Sequence, residues 1–317
     1  MKIEPRHLVF FASVLDNGGV TDAAQELGIA QPALSRMIAA LEKRVGAPLL
    51  ESRRKPVVAT SLGEQLAEQG RAIRLSLYHA DDLVDEVRHG HSGTVRIGAP
   101  PFFSERILPE MLVEYRRTFP AVNFEVRTTY LDHLLDLVER HEVDIVFSTT
   151  VTLERGRPSE SRVVSDLSHA VFCRPGHPAL QAGRFSPELL GQQEWISYGQ
   201  EAFLYNYTME SLAQFGIQQV RIGLKADSGG MILRMLEMSD CLCVLPVYAV
   251  LSEVKNGKLA LLPTPRLRTV PASVTTTKSS ESSAVVSRFA KWIAEDLGVR
   301  VADGKGYLDE VLEEFGF

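Results

Sequence analysis

Cysteine is nearly absent: Cys173, Cys241 and Cys243 are the three in 317 residues. Thiols so few and so placed cannot form a disulfide framework, and a reducing cytoplasm is the expected compartment. Long apolar runs are missing as well, and the opening residues lack a basic segment followed by a hydrophobic one. Neither a membrane anchor nor a signal peptide is therefore expected. The chain has no Walker loop, no GxSxG, no HExxH and no GxGxxG following a strand. Of its eight histidines only His89 and His91 are closely paired, and no thiol or carboxylate at metal spacing accompanies them. They read as a solvated hinge. An enzyme is thus the remote reading, and neither metal nor cofactor is expected.

A length of 317 residues exceeds one typical core and fits two or three domains, and 45% hydrophobic with 23% charged residues is ordinary globular composition. The net charge of −6 argues against a protein that coats nucleic acid indiscriminately. Its distribution is uneven: residues 1–63 carry eight Lys/Arg against six Asp/Glu, the remainder 26 against 34. The asymmetry is modest and has the sign of an N-terminal nucleic-acid-binding face.

Leu8, Phe11, Ala12 and Leu15 recur at helical spacing until Asn17-Gly18-Gly19 ends the helix. Thr21 is positioned to cap a second helix that stops at Gly28. A third begins near Gln31-Pro32, proline being tolerated in a first turn where its missing N–H has no partner. Leu34, Ile38, Leu41 and Val45 form its buried face; Pro32, Arg36 and Lys43 point away, with Ser35 on the shoulder. Two short helices around a glycine turn match a helix-turn-helix, whose second helix reads base edges with its first turn. Three short helices also describe any small helical domain.

Residues 18–50 decide between these. They resemble the signature of the LysR-type transcriptional regulators: Ala23-Ala24 in the second helix, Gln31-Pro32 and Ser35 in the third, then Leu41-Glu42 and Gly46. Thr60 and Gly63 match the start of the family's linker helix, and a weaker likeness runs over nearly the whole chain. The resemblance implies a sequence-specific DNA-binding transcriptional regulator whose DNA binding responds to a small-molecule effector. Gln31, Ser35 and Arg36, with Pro32 beside them, become the candidate base-reading residues. Two departures are visible. The family's Leu-Phe-x-Arg before the wing reads Leu49-Leu50-Glu51-Ser52, so Arg53, Arg54 and Lys55 are the candidate phosphate contacts; and Ala30 replaces a common serine.

From Leu62 to Arg88 there is no proline, and two glycines, Gly63 and Gly70. Leu66, Ile73, Leu77, Ala80, Val84 and Val87 follow a heptad seam, with Leu66, Ile73, Leu77 and Val84 as the candidate dimer contacts. The alternative is packing against the chain's own effector domain. The resemblance implies a dimer, which reads an interrupted palindrome, and a tetramer of two dimers. Contact with RNA polymerase is a further possible partnership.

Beyond residue 92 the pattern becomes strands alternating with helices, which implies parallel sheet covered on both faces. The expected fold is an N-terminal all-α winged helix-turn-helix (1–61), a linker helix (62–90) and an α/β two-lobed effector domain like the type 2 periplasmic binding proteins. Lobe 1 spans 92–163 and 268–300, lobe 2 spans 164–267, and residues 301–317 form a C-terminal extension. That extension reads as a short acidic amphipathic helix, packed on a neighbouring subunit or on its own lobe. Ligands of such sheets sit beyond the C-terminal ends of strands, so the interlobe cleft is the expected site. Its candidate loops carry Pro101, Phe102, Thr129, Leu131, Ser148, Phe203 and Ser228. In carboxylate-sensing members a hydroxyl often matches Phe102 and Leu131; the apolar residues here point to a more hydrophobic or aromatic effector. Cys241 and Cys243 share one face of an apolar strand, and a cysteine-based redox sensor is the competing regulatory reading.

Overall fold

In the computed structural model, residues 3–52, 55–89, 92–149, 159–181, 185–199, 203–217, 220–277, 280 and 283–316 are described. Helices α1 (Pro5–Asp16), α2 (Val20–Glu26) and α3 (Gln31–Val45) pack around Phe11, Ala23, Leu34 and Leu41. Gly19, not Thr21, caps α2: the helix opens two residues earlier, drawing Val20 against the head core, and Thr21 lies inside it. Strands β1 (Leu50–Ser52) and β2 (Val58–Ala59) form the antiparallel wing. Glu42 Oε1 accepts the Leu49 N–H at 3.0 Å, so this helix carboxylate anchors the entry to the wing.

The linker helix α4 runs Ser61–His89. Thr60 Oγ1 accepts the Gly63 N–H at 3.0 Å and so caps it. Gly63 and Gly70 are required sterically, because a Cβ would stand 2.1 Å from the Leu49 carbonyl oxygen and 2.2 Å from that of Leu8. Arg71, almost fully buried, bonds Asp16 at 2.8 Å, and Arg74 reaches the other oxygen of the same carboxylate at 2.7 Å. The first half of α4 is thereby joined to the head. This divides the predicted seam: Leu66 and Ile73 pack on the head core of their own chain, while Leu77 and Val84 are exposed at 57% and 47%. The Val87 side chain lies outside the described residues.

Lobe 1 is a five-stranded sheet in the order β4-β3-β5-β12-β6, from β3 (Gly93–Ala99), β4 (Val122–Thr128), β5 (Ile145–Ser148), β6 (Ser159–Leu167) and β12 (Val270–Thr277). Lobe 2 is a second, ordered β11-β7-β10-β8-β9, from β7 (His169–Cys173), β8 (Glu194–Ser197), β9 (Arg221–Lys225), β10 (Cys241–Pro246) and β11 (Ala260–Leu262). Both sheets are mixed rather than wholly parallel: β12 runs antiparallel to β5 and β6, and β7 to β10 and β11. The crossing strands must enter and leave each lobe in opposite senses, which β-α-β patterning alone does not reveal. The expected boundary at Val163 falls inside β6, and the chain changes lobe between Leu167 and His169.

The short helix α5 (Pro101–Arg106) occupies what reads as a loop in the sequence, since Pro101 opens a helical turn as readily as it interrupts one. It is followed by α6 (Leu108–Thr118) and α7 (Leu131–Glu139) in lobe 1, and by α8 (Pro178–Gln181), α9 (Pro187–Gly191), α10 (Phe203–Gln214), α11 (Gly229–Met238) and α12 (Leu251–Lys255) in lobe 2. Residues 301–316 are not a separate short helix. Residues 301–314 continue α13 (Ala284–Glu314), which begins on lobe 1 with Phe289 edge-on to Tyr115 at 5.0 Å and ends on lobe 2. There Gly304 abuts the Tyr248 backbone, and Arg266 pairs with Asp309 at 2.5 Å. One helix therefore spans both lobes of its own chain.

Candidate functional site

The first turn of α3 is exposed. Gln31, Pro32 and Arg36 face solvent, and Gln31 Nε2 donates to Ser35 Oγ at 3.2 Å. Gln31 and Ser35 line a groove with Thr21, Asp22, Lys55 and Val57, closed on one side by the wing. Ala30 caps α3 without a side-chain hydrogen bond, leaving first-turn N–H groups with no acceptor from the cap. Lys55 is exposed and pairs with Asp22, so it is not a free cation in this chain. Arg53 and Arg54 lie outside the described residues.

At its far end α4 meets lobe 1. His79 Nε2 lies 3.1 Å from Asp144 Oδ1, both side chains buried, and Asp144 Oδ2 accepts the Arg96 backbone N–H at 2.8 Å. The Arg96 guanidinium stacks over the Tyr78 ring at 4.5 Å. A buried carboxylate left unpaired would be strongly destabilising, so this junction resists separation.

Between the lobes lies a cavity with about 880 Å³ of empty space, its open mouth included. Pro101 and Phe102 on α5, and Phe147 and Ser148 on β5, line it from lobe 1; Tyr198, Leu204 and Pro246 line it from lobe 2. Leu297 of α13 also reaches it. Of the expected residues, Pro101, Phe102 and Ser148 come together here. Thr129 does not: it borders a separate, polar depression with Arg127 and His133. Nor does Ser228, whose hydroxyl accepts the Met231 N–H at the start of α11. The side chains of Leu131 and Phe203 lie outside the described residues, and the neighbouring Tyr130 and Leu204 line the cavity.

Polar groups in the cavity are few and come from unanticipated positions. The Ser148 and Ser273 hydroxyls bond each other at 2.7 Å across β5 and β12. Tyr198, 3% exposed, has a hydroxyl without a partner, and burial keeps it protonated. His169, 2% exposed, makes no hydrogen bond of normal geometry at either ring nitrogen, although the Leu167 carbonyl lies near enough to act on its charge. Burial pushes its pKa down to about 4, with the Arg268 charge acting in the same direction. Both are residues of lobe 2 whose role depends on lobe 1 closing over them. No periodicity marks such a position in a sequence.

The lobes are joined around the cavity mouth. Glu105 Oε2 accepts the Gly230 N–H at 3.0 Å and the Ser228 hydroxyl at 3.4 Å. The Tyr130 hydroxyl donates to Asp227, and Arg106 pairs with Glu253. All three cysteines are buried, and burial raises the pKa of Cys173 to about 12 and that of Cys243 further still. Among the described residues no helix is long and apolar enough to cross a membrane.

Comparison with known proteins agrees with this architecture. Residues 5–64 match the family model for bacterial regulatory helix-turn-helix proteins of the lysR family, and residues 88–298 match that for the LysR substrate binding domain. The SDS degradation transcriptional activation protein of a Pseudomonas species is 27% identical over 260 residues, 81% of this chain and 83% of that protein. The transcriptional regulator PcaQ of Agrobacterium fabrum is 24% identical over 305 residues, 96% and 98% of the two chains. Among solved structures, full-length OxyR from Pseudomonas aeruginosa superposes with a TM-score of 0.72 at 17% identity, covering 92% of this chain and 98% of that one. CbnR complexed with its target DNA gives 0.61 at 19% identity, with 92% and 99% covered. LysG of Corynebacterium glutamicum with bound effector Arg gives 0.64 at 18%, with 93% and 99% covered. With a family model matching each functional part and the same order of head, linker helix and two lobes, this chain belongs to the LysR family of transcriptional regulators.

Proposed function

We propose that the first turn of α3 enters the major groove of promoter DNA, with Gln31, Ser35 and Arg36 reading base edges and Pro32 setting the helix start. The bare first turn of α3 offers N–H groups to a phosphate, and Arg53, Arg54 and Lys55 of the wing take flanking phosphates. Lys55 leaves Asp22 to do so. The exposed Leu77 and Val84 meet the same residues of a second copy, so the heads are paired and the site is an interrupted palindrome. Pairing of two dimers into a tetramer, work in the cytoplasm and contact with RNA polymerase complete the reading.

The interlobe cavity is the effector site. An effector shifts the balance between lobe arrangements, and the shift passes through the His79–Asp144 junction into α4 and the spacing of the heads. The observation that carries this reading is the joining of α4 to the head by Asp16 and to lobe 1 by Asp144, so that one helix is tied both to the DNA-reading head and to the lobe that forms one wall of the cavity.

Binding of the purified chain to its own upstream intergenic DNA, across a salt series, tests the reading. Nanomolar selective binding with a steep salt dependence is expected. Affinity no better than for random DNA of equal length would overturn it.

A further inference from the structure

The cavity is unusual in what its polar groups are and in what is already filled. Its walls are rings and aliphatic carbon: Phe102, Phe103, Phe147, Tyr198 and Tyr248, with prolines between them. No Lys, Arg, Asp or Glu is found among the described residues that line it. Two side chains stand out because each is more than nine-tenths buried and lines the cavity: Tyr198, whose hydroxyl lacks a partner, and His169, whose ring nitrogens make no hydrogen bond of normal geometry and have only the Leu167 carbonyl nearby. Buried polar atoms are normally paired, and an unpaired one is destabilising unless something supplies the missing bond. Here the two line one chamber, where one ligand can satisfy both.

The rim excludes charge of one sign. The start of α11 is where an anion would be expected to sit, because free N–H groups and the helix dipole favour it. In this chain Glu105, reaching across from lobe 1, fills that position by accepting the Gly230 N–H and the Ser228 hydroxyl. The fit is close, since a Cβ on Gly229 would lie 2.8 Å from the Phe102 ring. Asp227 stands beside it, taking the Tyr130 hydroxyl. A carboxylate effector would meet the Glu105 and Asp227 carboxylates at the mouth and, among the described residues that line the cavity, no cation.

We infer that the effector is an uncharged molecule with an aromatic body and a carbonyl or hydroxyl oxygen, held by hydrogen bonds to Tyr198 and His169. This rests on the reading of the interlobe cavity as the effector site. The tyrosine hydroxyl donates to the ligand oxygen, and the neutral imidazole offers one donor and one acceptor to a second polar atom. A surrounding that holds an imidazole uncharged disfavours an ammonium or a carboxylate for the same reason, the loss of hydration on entry. The rings then supply most of the binding through apolar contact.

Four single-ring probes of nearly equal size separate the possibilities on the full-length protein: acetophenone, benzamide, benzoate and benzylamine. Binding is followed by saturation-transfer NMR and by the rise in melting temperature. Acetophenone and benzamide are expected to bind, and benzoate and benzylamine at least about tenfold more weakly. Tyr198→Phe, which keeps the ring, should weaken the neutral probes about fivefold to tenfold. Leu204→Trp narrows the cavity from a half-buried wall position and should abolish binding of the neutral probes. If benzoate or benzylamine binds as well as the neutral probes and Leu204→Trp removes it, the cavity stands as the ligand site and the uncharged class is wrong. Neutral probes that bind Tyr198→Phe unchanged remove that residue from recognition and overturn the paired assignment. If no probe binds, or Leu204→Trp changes nothing, the cavity reading falls and this inference with it.

Discussion

The head and the effector cavity, two functional regions of one chain, are built in opposite ways. The head's surface is polar, exposed and local: Gln31, Pro32, Ser35 and Arg36 lie within six consecutive residues on one helical turn and the next. The cavity is apolar, enclosed and dispersed, drawing Phe102, Ser148, His169, Tyr198, Tyr248 and Leu297 from both lobes and the bridging helix. A surface meant for DNA keeps its hydration until it docks, and needs only a rigid helix behind it. A cavity that discriminates a small molecule must be dry, and it therefore needs walls from every side.

Separating the head from its support gives the largest expected effect. Gly70→Leu forces a side chain into the Leu8 carbonyl and should destabilise the head by on the order of 4 kcal/mol, seen in chemical denaturation. DNA binding should vanish while acetophenone still binds the cavity; loss of both together would show that the two regions do not fold independently.

The cavity has a matching acid sensitivity. His169 is neutral in the fold with a pKa of about 4, below the ordinary 6.5, so the unfolded chain binds more protons between these values. Its contribution to stability is present above pH 6.5 and is lost as pH falls through that window, by on the order of 3 kcal/mol in full. Urea denaturation of His169→Gln should show a flatter acid limb than the parent; equal slopes would place the acid sensitivity elsewhere.

On the DNA side, Arg36→Ala should weaken specific binding by about 1–3 kcal/mol and relax preference at one base position, read by competition with single-base variants of the site. Uniform weakening over all sequences would reassign Arg36 to the backbone. The smallest change concerns Lys55. Its exposed pair with Asp22 contributes under about 1 kcal/mol, so Lys55→Ala should leave stability almost unchanged. If Lys55 reaches a phosphate, the slope of log affinity against log salt falls by about one. An unchanged slope would leave it as a partner of Asp22 alone.

By itself the sequence determined the head almost completely, because each signal there is local. Leu34, Ile38 and Leu41 share a face by helical spacing, and glycines mark the turns. It also determined that two α/β lobes follow, since hydrophobic patterning over each strand and helix is a property of the segment. Tertiary structure decided what each face meets. The heptad reading of α4 treated Leu66 and Leu77 alike, but the close approach at Gly63 and Gly70 turns Leu66 onto the head and leaves Leu77 exposed. It likewise carried residues 301–314 onward as part of α13 to Tyr248, and moved Thr129 and Ser228 away from the cavity. His169 and Tyr198 were invisible in the sequence for the same reason. A buried polar side chain acquires its meaning from what fails to pair with it, and that is set by neighbours distant along the chain.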